Sequence, residues 1–348
     1  MSLCAESLHK KYSGKGLTGL ANVGNSCYLN SCMQILSHTY ELSDFLNEDT
    51  YKKRINKVSD SVLLIEWDKL RTMMWSNNCT IAPWGFVKSV QKIARIKDLE
   101  LFTGNSQNDI QEYLLFILDS FHNAIRREVN MEITGNVVNT TDKIAISCYN
   151  MMKEMYKNDY SEILNIFYGI HVSEITSIDG REQLGMSPEP FSVLSLSVPD
   201  KECPTLFDCF DEYCKKEKLC GENAWHNDKT NKYEDVMRGI TFWNLPNVFI
   251  IDIKRWSSTG RKINKKIHSP LTDIDLSKYV SGYEKEKCIY DLYGVCNHIG
   301  GSGGGHYTAY IKNANDNWYE FNDTNVKIIN RARVVSENSY CFFLRKKK

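Results

Sequence analysis

The chain changes its hydrophobic period once, near Phe167, and that switch limits the folds open to it. Before it, apolar residues recur at helical spacing. Cys27 to Leu42 carries Tyr28, Cys32, Ile35 and Leu36 on one face and Leu29, Met33 and Tyr40 on another, which predicts a helix buried nearly all round. Asn25 and Ser26 precede it as N-cap candidates. Asp109 to Ile125 repeats the pattern through Ile110, Leu114, Ile117, Leu118 and Phe121, with Ser106 or Asn108 as its cap, and a further helical stretch lies between Glu132 and Leu164. After Phe167 the signals are those of strands and turns. Phe191 to Val198 alternates, Asn247 to Trp256 is a β-branched run, and Tyr290 to Val295 and Tyr307 to Lys312 are further strand candidates. Helices first and sheet later predict an α+β protein of two lobes.

A chain of 348 residues, 42% of them hydrophobic, buries enough surface to fold without a disulfide or a metal. Its 43 Lys and Arg balance 43 Asp and Glu. Zero net charge argues against non-specific binding to nucleic acid or anionic membranes, which rests on excess positive charge. The basic run Arg345 to Lys348 is expected to be a solvated tail. No stretch approaches the roughly 18 apolar residues of a membrane span, and Met1 to Gly16 lacks the apolar core of a signal peptide. The expectation is a soluble monomer in a reducing compartment, cytoplasmic or nuclear. Its twelve cysteines would then be mostly small buried hydrophobes, and no pair has C-x-x-C spacing.

Two segments carry chemistry. In Gly19-Leu-Ala-Asn-Val-Gly-Asn-Ser-Cys27-Tyr-Leu-Asn, a Gly- and Asn-rich loop delivers a cysteine to the first turn of a buried helix. The partial positive charge and free N–H groups there favour a thiolate and suit an oxyanion, with the Cys27 N–H and the Asn22 side chain as donors. Alone, the signal is weak and Cys27 reads better as a packed thiol. The second segment runs His298-Ile-Gly-Gly-Ser-Gly-Gly-Gly-His306-Tyr-Thr-Ala-Tyr-Ile-Lys to Trp318-Tyr-Glu-Phe-Asn322-Asp323. A hairpin centred near Asn315 puts His306 opposite Asn322 to Thr324, close enough for an imidazole to meet an orienting side chain. The glycines up to Gly305 let a substrate backbone approach without Cβ obstruction. A capped cysteine combined with such a histidine favours a cysteine hydrolase.

These blocks resemble the ubiquitin-specific proteases, papain-like deubiquitinases of thumb, palm and fingers. The cysteine box matches Gly16 to Ser31, and the histidine box matches Tyr290 to Val295, Gly305-His306-Tyr307 and Trp318 to Asp323. Ser106-Gln107-Asn108-Asp109-Ile-Gln111-Glu112-Tyr113 resembles the Gln-Gln-Asp box, and Leu206 to Tyr213 and Leu245 to Trp256 fall in family order. The resemblance implies an α+β papain-like fold with a helical thumb, a β-rich palm and β fingers. It implies one catalytic domain over 16–345: thumb to about 165, fingers and palm strands to about 260, then palm with the histidine box. Residues 1–15 and 346–348 would be tails. It makes Cys27 the nucleophile, His306 the general base and later acid, and Asn322 the orienter, with Asp323 sharing that role and Asn22 donating to the oxyanion. Asp109, Glu112, Gln107, Tyr307, Gly305 and Trp256 would meet ubiquitin's tail. Without the resemblance, Asp109 is an acid favoured by a helix N-terminus.

The chain also departs from the family. Many members carry a four-cysteine zinc ribbon at the fingertips; here Glu174 to Gly180 holds no cysteine, and the spacings of Cys203, Cys209, Cys214 and Cys220 suit packing better than ligation. Fingers without metal, and no cofactor, are expected. Asn108 replaces the second glutamine, and Trp256 stands where phenylalanine is usual. The implied partners are ubiquitin and its conjugates. Two alternatives stand beside hydrolysis of ubiquitin linkages: a catalytically weak ubiquitin-binding module, and a protease for another ubiquitin-like modifier.

Overall fold

The computed structural model describes residues 10–48, 50–301 and 304–347. The helices are α1 (Cys27–Ser37), α2 (Tyr40–Asn47), α3 (Asp60–Ser76), α4 (Trp84–Ile96), α5 (Ile110–Ile125), α6 (Thr140–Asp159), α7 (Glu162–Phe167) and α8 (Leu206–Tyr213). The helix expected over Cys27 to Leu42 is therefore two. Thr39 Oγ1 donates to the Ile35 carbonyl at 3.1 Å and His38 Nδ1 lies 2.9 Å from the Gln34 carbonyl. Side chains thus compete for the carbonyls of the last turn, and the chain leaves the helical path.

Of the expected caps, Ser26 is found at its position, though without a capping hydrogen bond, and the second is displaced by a residue. Ser26 sits at the cap position of α1, but its hydroxyl accepts from the Val23 N–H at 2.9 Å, stabilising the loop behind the helix instead. At α5 the cap is Asp109 itself, in extended backbone, with Oδ1 accepting from the Gln111 N–H at 2.7 Å. An acid at that position satisfies an orphan donor and complements the helix dipole together. In the third helical stretch, α6 starts only at Thr140, where Asn139 and Asp142 form a reciprocal capping box.

The strands are β1 (Gly19–Leu20), β2 (Thr80–Ile81), β3 (Gly169–Thr176), β4 (Gln183–Phe191), β5 (Val193–Ser197), β6 (Glu217–Leu219), β7 (Trp225–Asn227), β8 (Lys232–Glu234), β9 (Val236–Asn244), β10 (Val248–Lys254), β11 (Ile274–Asp275), β12 (Ile289–Gly301), β13 (Gly304–Lys312), β14 (Trp318–Asn322), β15 (Asn325–Ile329) and β16 (Ser339–Lys346). An eight-stranded sheet runs β15-β14-β13-β12-β16-β10-β5, with β11 on β12. Its middle is covered on both faces, which is why β10 opens as an apolar run from Val248 to Ile251. Val248 and Ile250 enter the core shared with the helices, while Phe249 and Ile251 enter a second core on the far face with Leu292, Val295 and Phe342. A smaller sheet, β4-β3-β9-β6, carries α6 on one side. Glu174 to Gly180 covers the end of β3 and its turn into β4.

The basic run is not a solvated tail. Arg345 and Lys346 end β16, which lies between β10 and β12. The Arg345 guanidinium meets Glu41 Oε1 at 2.8 Å and the His38 carbonyl at 2.9 Å, between the rings of Tyr40 and Tyr293. The Lys347 N–H continues the ladder to the Ile289 carbonyl at 2.8 Å. A central strand has both edges paired, so its end is held although the sequence there is charged. Lys348, Met1 to His9, Ser302 and Gly303 lie outside the described residues.

Candidate active site

Helix α1 points its N-terminus at the end of the large sheet, where β13 loses a neighbour. Lys312 pairs with Trp318, centring that turn on Asn315, and the β13–β14 ladder runs down to Ala309 and Phe321. Beyond it the β13 edge is open, and α1 packs there. His306 lies on this open stretch. Its Nε2 is 2.8 Å from Asn322 Oδ1, at the last residue of β14. This is the contact of a base with a neutral orienter.

Cys27 begins α1 and is only 2% exposed. Burial raises its pKa above the ordinary thiol value, a hydrogen bond from the Tyr307 backbone works against that, and the Asp323 carboxylate adds to the rise. Desolvation thus works against the helix terminus, whose N–H groups favour the thiolate. Because α1 packs along β13, its first residue Cys27 and His306 belong to the same junction of helix and sheet. Asn22 is held at both ends of its carboxamide: Oδ1 accepts from the Ser26 N–H at 3.0 Å and Nδ2 donates to Asp323 Oδ2 at 3.1 Å.

Asp323 does not share the orienting of His306. Its backbone is left-handed, with φ of 49°, which turns the carboxylate toward the cysteine loop. Oδ1 accepts from Asn30 Nδ2 at 2.8 Å, and the Asp323 carbonyl accepts from the Leu20 N–H at 2.9 Å. Asn30 thus belongs to the constellation. Its place three residues after Cys27, on the next turn of α1, was the available signal.

The remaining residues divide into two groups. Asp109 binds Tyr340, whose hydroxyl donates to Oδ2 at 2.6 Å, and Tyr340 in turn accepts from Trp256 Nε1 at 3.0 Å. The indole of Trp256 supplies a donor that phenylalanine lacks. Tyr307 is buried with its ring 4.7 Å from His298 and 6.0 Å from Tyr340. His298 is itself buried, and that burial, aided by Lys262, lowers its pKa to about 4. Beneath lies Asp252, raised to about 7 by burial and by the neighbouring Asp109, and bonded by the Cys341 thiol. Tyr340 and Asp252 were not anticipated; both sit in strands whose run of apolar neighbours hid them. In the second group, Gln107 meets the Gly305 backbone with both ends of its carboxamide, at 2.7 and 2.8 Å. Glu112 is exposed on the first turn of α5.

Residues 18–344 match the family described as ubiquitin carboxyl-terminal hydrolase. The chain belongs to that family. It is 30% identical over 345 residues to ubiquitin carboxyl-terminal hydrolase 2 of Bos taurus, and 30% over 342 residues to that of Homo sapiens, covering 95% of this chain and 55% of each relative. The chain thus spans about half the length of these curated relatives. A probable ubiquitin carboxyl-terminal hydrolase of Acanthamoeba polyphaga mimivirus is 26% identical over 425 residues, with 94% of this chain and 90% of the relative covered. Among solved structures, the SAGA DUB module of Ubp8, Sgf11, Sus1 and Sgf73 bound to monoubiquitin matches with a TM-score of 0.76 at 22% identity, over 97% of this chain and 70% of that one. The same module bound to ubiquitin aldehyde gives 0.75 at 24%, over 97% and 71%. At such identities the likeness concerns the fold, and the fold is the α+β papain-like one of these hydrolases. No helix among the described residues is long and apolar enough to cross a membrane.

Proposed function

We propose that this chain is a thiol-dependent hydrolase that cleaves the isopeptide, peptide or thioester bond after the C-terminal glycine of ubiquitin. The observation that carries the reading is the 2.8 Å contact of His306 Nε2 with Asn322 Oδ1, His306 lying on the strand against which α1, begun by Cys27, is packed. Burial pushes the Cys27 thiol up, and His306 serves as its general base in the first step. It takes the Cys27 proton as the sulfur attacks the scissile carbonyl. Charge developing on the carbonyl oxygen meets the Cys27 N–H at the helix terminus and Asn22 Nδ2. The imidazolium then gives its proton to the departing lysine amine, leaving a thioester. In the second half, His306 deprotonates water, which attacks the thioester and releases the ubiquitin carboxylate and the thiol.

Ubiquitin as substrate is supported by the family and by the ubiquitin complexes of the Ubp8 module. The free cysteines among the described residues suit a reducing compartment, cytoplasmic or nuclear. A protease for another ubiquitin-like modifier is the second reading. It is favoured by Asp109, whose two oxygens are already bonded to the Gln111 N–H and the Tyr340 hydroxyl, so the acid offered to an arginine-bearing tail is partly spent.

The test is hydrolysis of a fluorogenic ubiquitin C-terminal amide by the wild type and by Cys27→Ala. Turnover that vanishes in the variant is the expected result. Ubiquitin binding without turnover in either protein would leave a binding module, and neither binding nor turnover would favour another modifier.

A further inference from the structure

Along the open edge of β13, alternate residues 305, 307 and 309 present their backbone groups to the same side. At Ala309 the partner is Phe321 of β14, and at Gly305 it is Gln107. The Gln107 carboxamide accepts the Gly305 N–H through Oε1 at 2.7 Å and donates Nε2 to the Gly305 carbonyl at 2.8 Å. It bonds Gly305 as an adjacent strand's peptide groups would, where the ladder has run out. His306 follows directly, so Gln107 holds the peptide immediately before it.

The loop that carries Gln107 is tied to the cysteine side as well. Asn25 Nδ2, two residues before Cys27, donates to the Asn105 carbonyl at 2.9 Å, and Asn108 Nδ2 donates to the Tyr28 hydroxyl at 3.1 Å. Gln91 of α4 anchors the start of the loop through the Gly104 carbonyl at 3.0 Å. On its other side Gly305 has no slack: a Cβ there would lie 2.2 Å from His298 Nε2 and 2.7 Å from the Ile299 carbonyl.

We infer that the 105–108 loop is a brace that fixes His306 against Cys27 before substrate arrives, and that Gln107 is its positioning residue. This rests on the hydrolase reading above. It gives Gln107 a role different from a ubiquitin contact, because both ends of its carboxamide are occupied within the protein.

Gln107→Ala removes both bonds to Gly305. A reacting group misplaced by about 1 Å costs on the order of 100-fold. The expected result is a fall in kcat of about tenfold to 100-fold with the fluorogenic ubiquitin amide, little change in KM, and unchanged ubiquitin binding in a Cys27→Ala background. Gln107→Glu is the sharper variant. Ionised, its carboxylate repels the Gly305 carbonyl; protonated, its carboxyl reproduces the donor and acceptor of the amide. Its kcat relative to wild type therefore rises as pH falls from about 7.5 to about 5, toward the ordinary glutamate pKa of about 4.3. A residue needed only for folding gives no such pH-dependent rescue. A raised KM with kcat intact in Gln107→Ala, or a lower KM at neutral pH in Gln107→Glu, would make Gln107 a contact for a basic tail and overturn the inference. Turnover surviving Cys27→Ala would defeat the hydrolase reading itself, whatever Gln107 does.

Discussion

Replacing Asp323 by Ala removes a carboxylate that accepts from Asn22 Nδ2 at 3.1 Å and from Asn30 Nδ2 at 2.8 Å. Two effects then oppose each other. The negative charge that helps hold the Cys27 pKa up is gone, so more thiolate exists at any given pH. Asn22 meanwhile loses the acceptor that fixes its nitrogen, although Oδ1 keeps the Ser26 N–H at 3.0 Å. Deleting an oxyanion donor outright costs about 10²–10³ in kcat. A donor loosened but present places Asp323→Ala nearer a tenfold to 100-fold loss, about 1.4 to 2.7 kcal/mol of transition-state stabilisation. Two assays at neutral pH separate the effects: turnover of the fluorogenic ubiquitin amide, and alkylation of Cys27 by iodoacetamide. Turnover falls while alkylation accelerates. Asp323→Asn, which keeps an acceptor oxygen without the charge, alkylates as fast as the Ala variant and loses less turnover. If alkylation and turnover fall together in both variants, Asp323 acts through His306 after all and the assignment to Asn22 is wrong.

The other expectations concern the orienter, the hairpin, the buried arginine and acid stability. Asn322→Ala frees the imidazole and lowers kcat by about 100-fold, within the range for general acid–base catalysis, with ubiquitin binding retained by calorimetry. Gly305→Ala forces a Cβ to within 2.2 Å of His298, so kcat drops while far-ultraviolet circular dichroism stays that of the wild type. Arg345→Met leaves Glu41 without its partner; the pair keeps 16% and 18% exposure, so the loss falls at the low end of the buried-pair range, about 3 kcal/mol by urea unfolding. Adding Glu41→Leu recovers most of that, and a single variant as stable as wild type refutes the buried-pair account. His38 and His298 titrate near about 4 in the fold against about 6.5 unfolded, so the unfolded chain binds more protons between those values and stability falls as pH drops through them. Asp252, raised to about 7, has the opposite slope, since between about 4 and 7 the folded chain keeps a proton there that the unfolded chain has released, and this contribution shrinks as pH rises. Two histidines outweigh one aspartate, so the midpoint of thermal unfolding declines from pH 6.5 toward 4, and Asp252→Asn steepens the decline.

What the sequence discloses here is periodic or local. The apolar stripe of α5 and the β-branched run of β10 appear where their patterns put them, because burial on one face or on two leaves a trace in every residue of the element. The turn centred on Asn315 is legible for the same reason, and it carries His306 to Asn322 by counting alone. Features that depend on where distant segments meet leave no period. Arg345 looks solvated until β10 and β12 are known to flank its strand, and only then does Glu41, 304 residues away in sequence, become its partner. Asp323 sits beside the orienter in sequence yet faces the cysteine loop, because one left-handed residue reverses the direction of a side chain that a regular strand would have aimed elsewhere. Gln107 is the strongest case. As a residue type it suits a ligand contact, and its neighbours Asn108 and Asp109 face the cysteine helix and the palm respectively. Its work is to complete a sheet edge 198 residues later in the chain. Such residues connect the nucleophile to its base without belonging to either, so their assignment rests on the geometry of the pair they join.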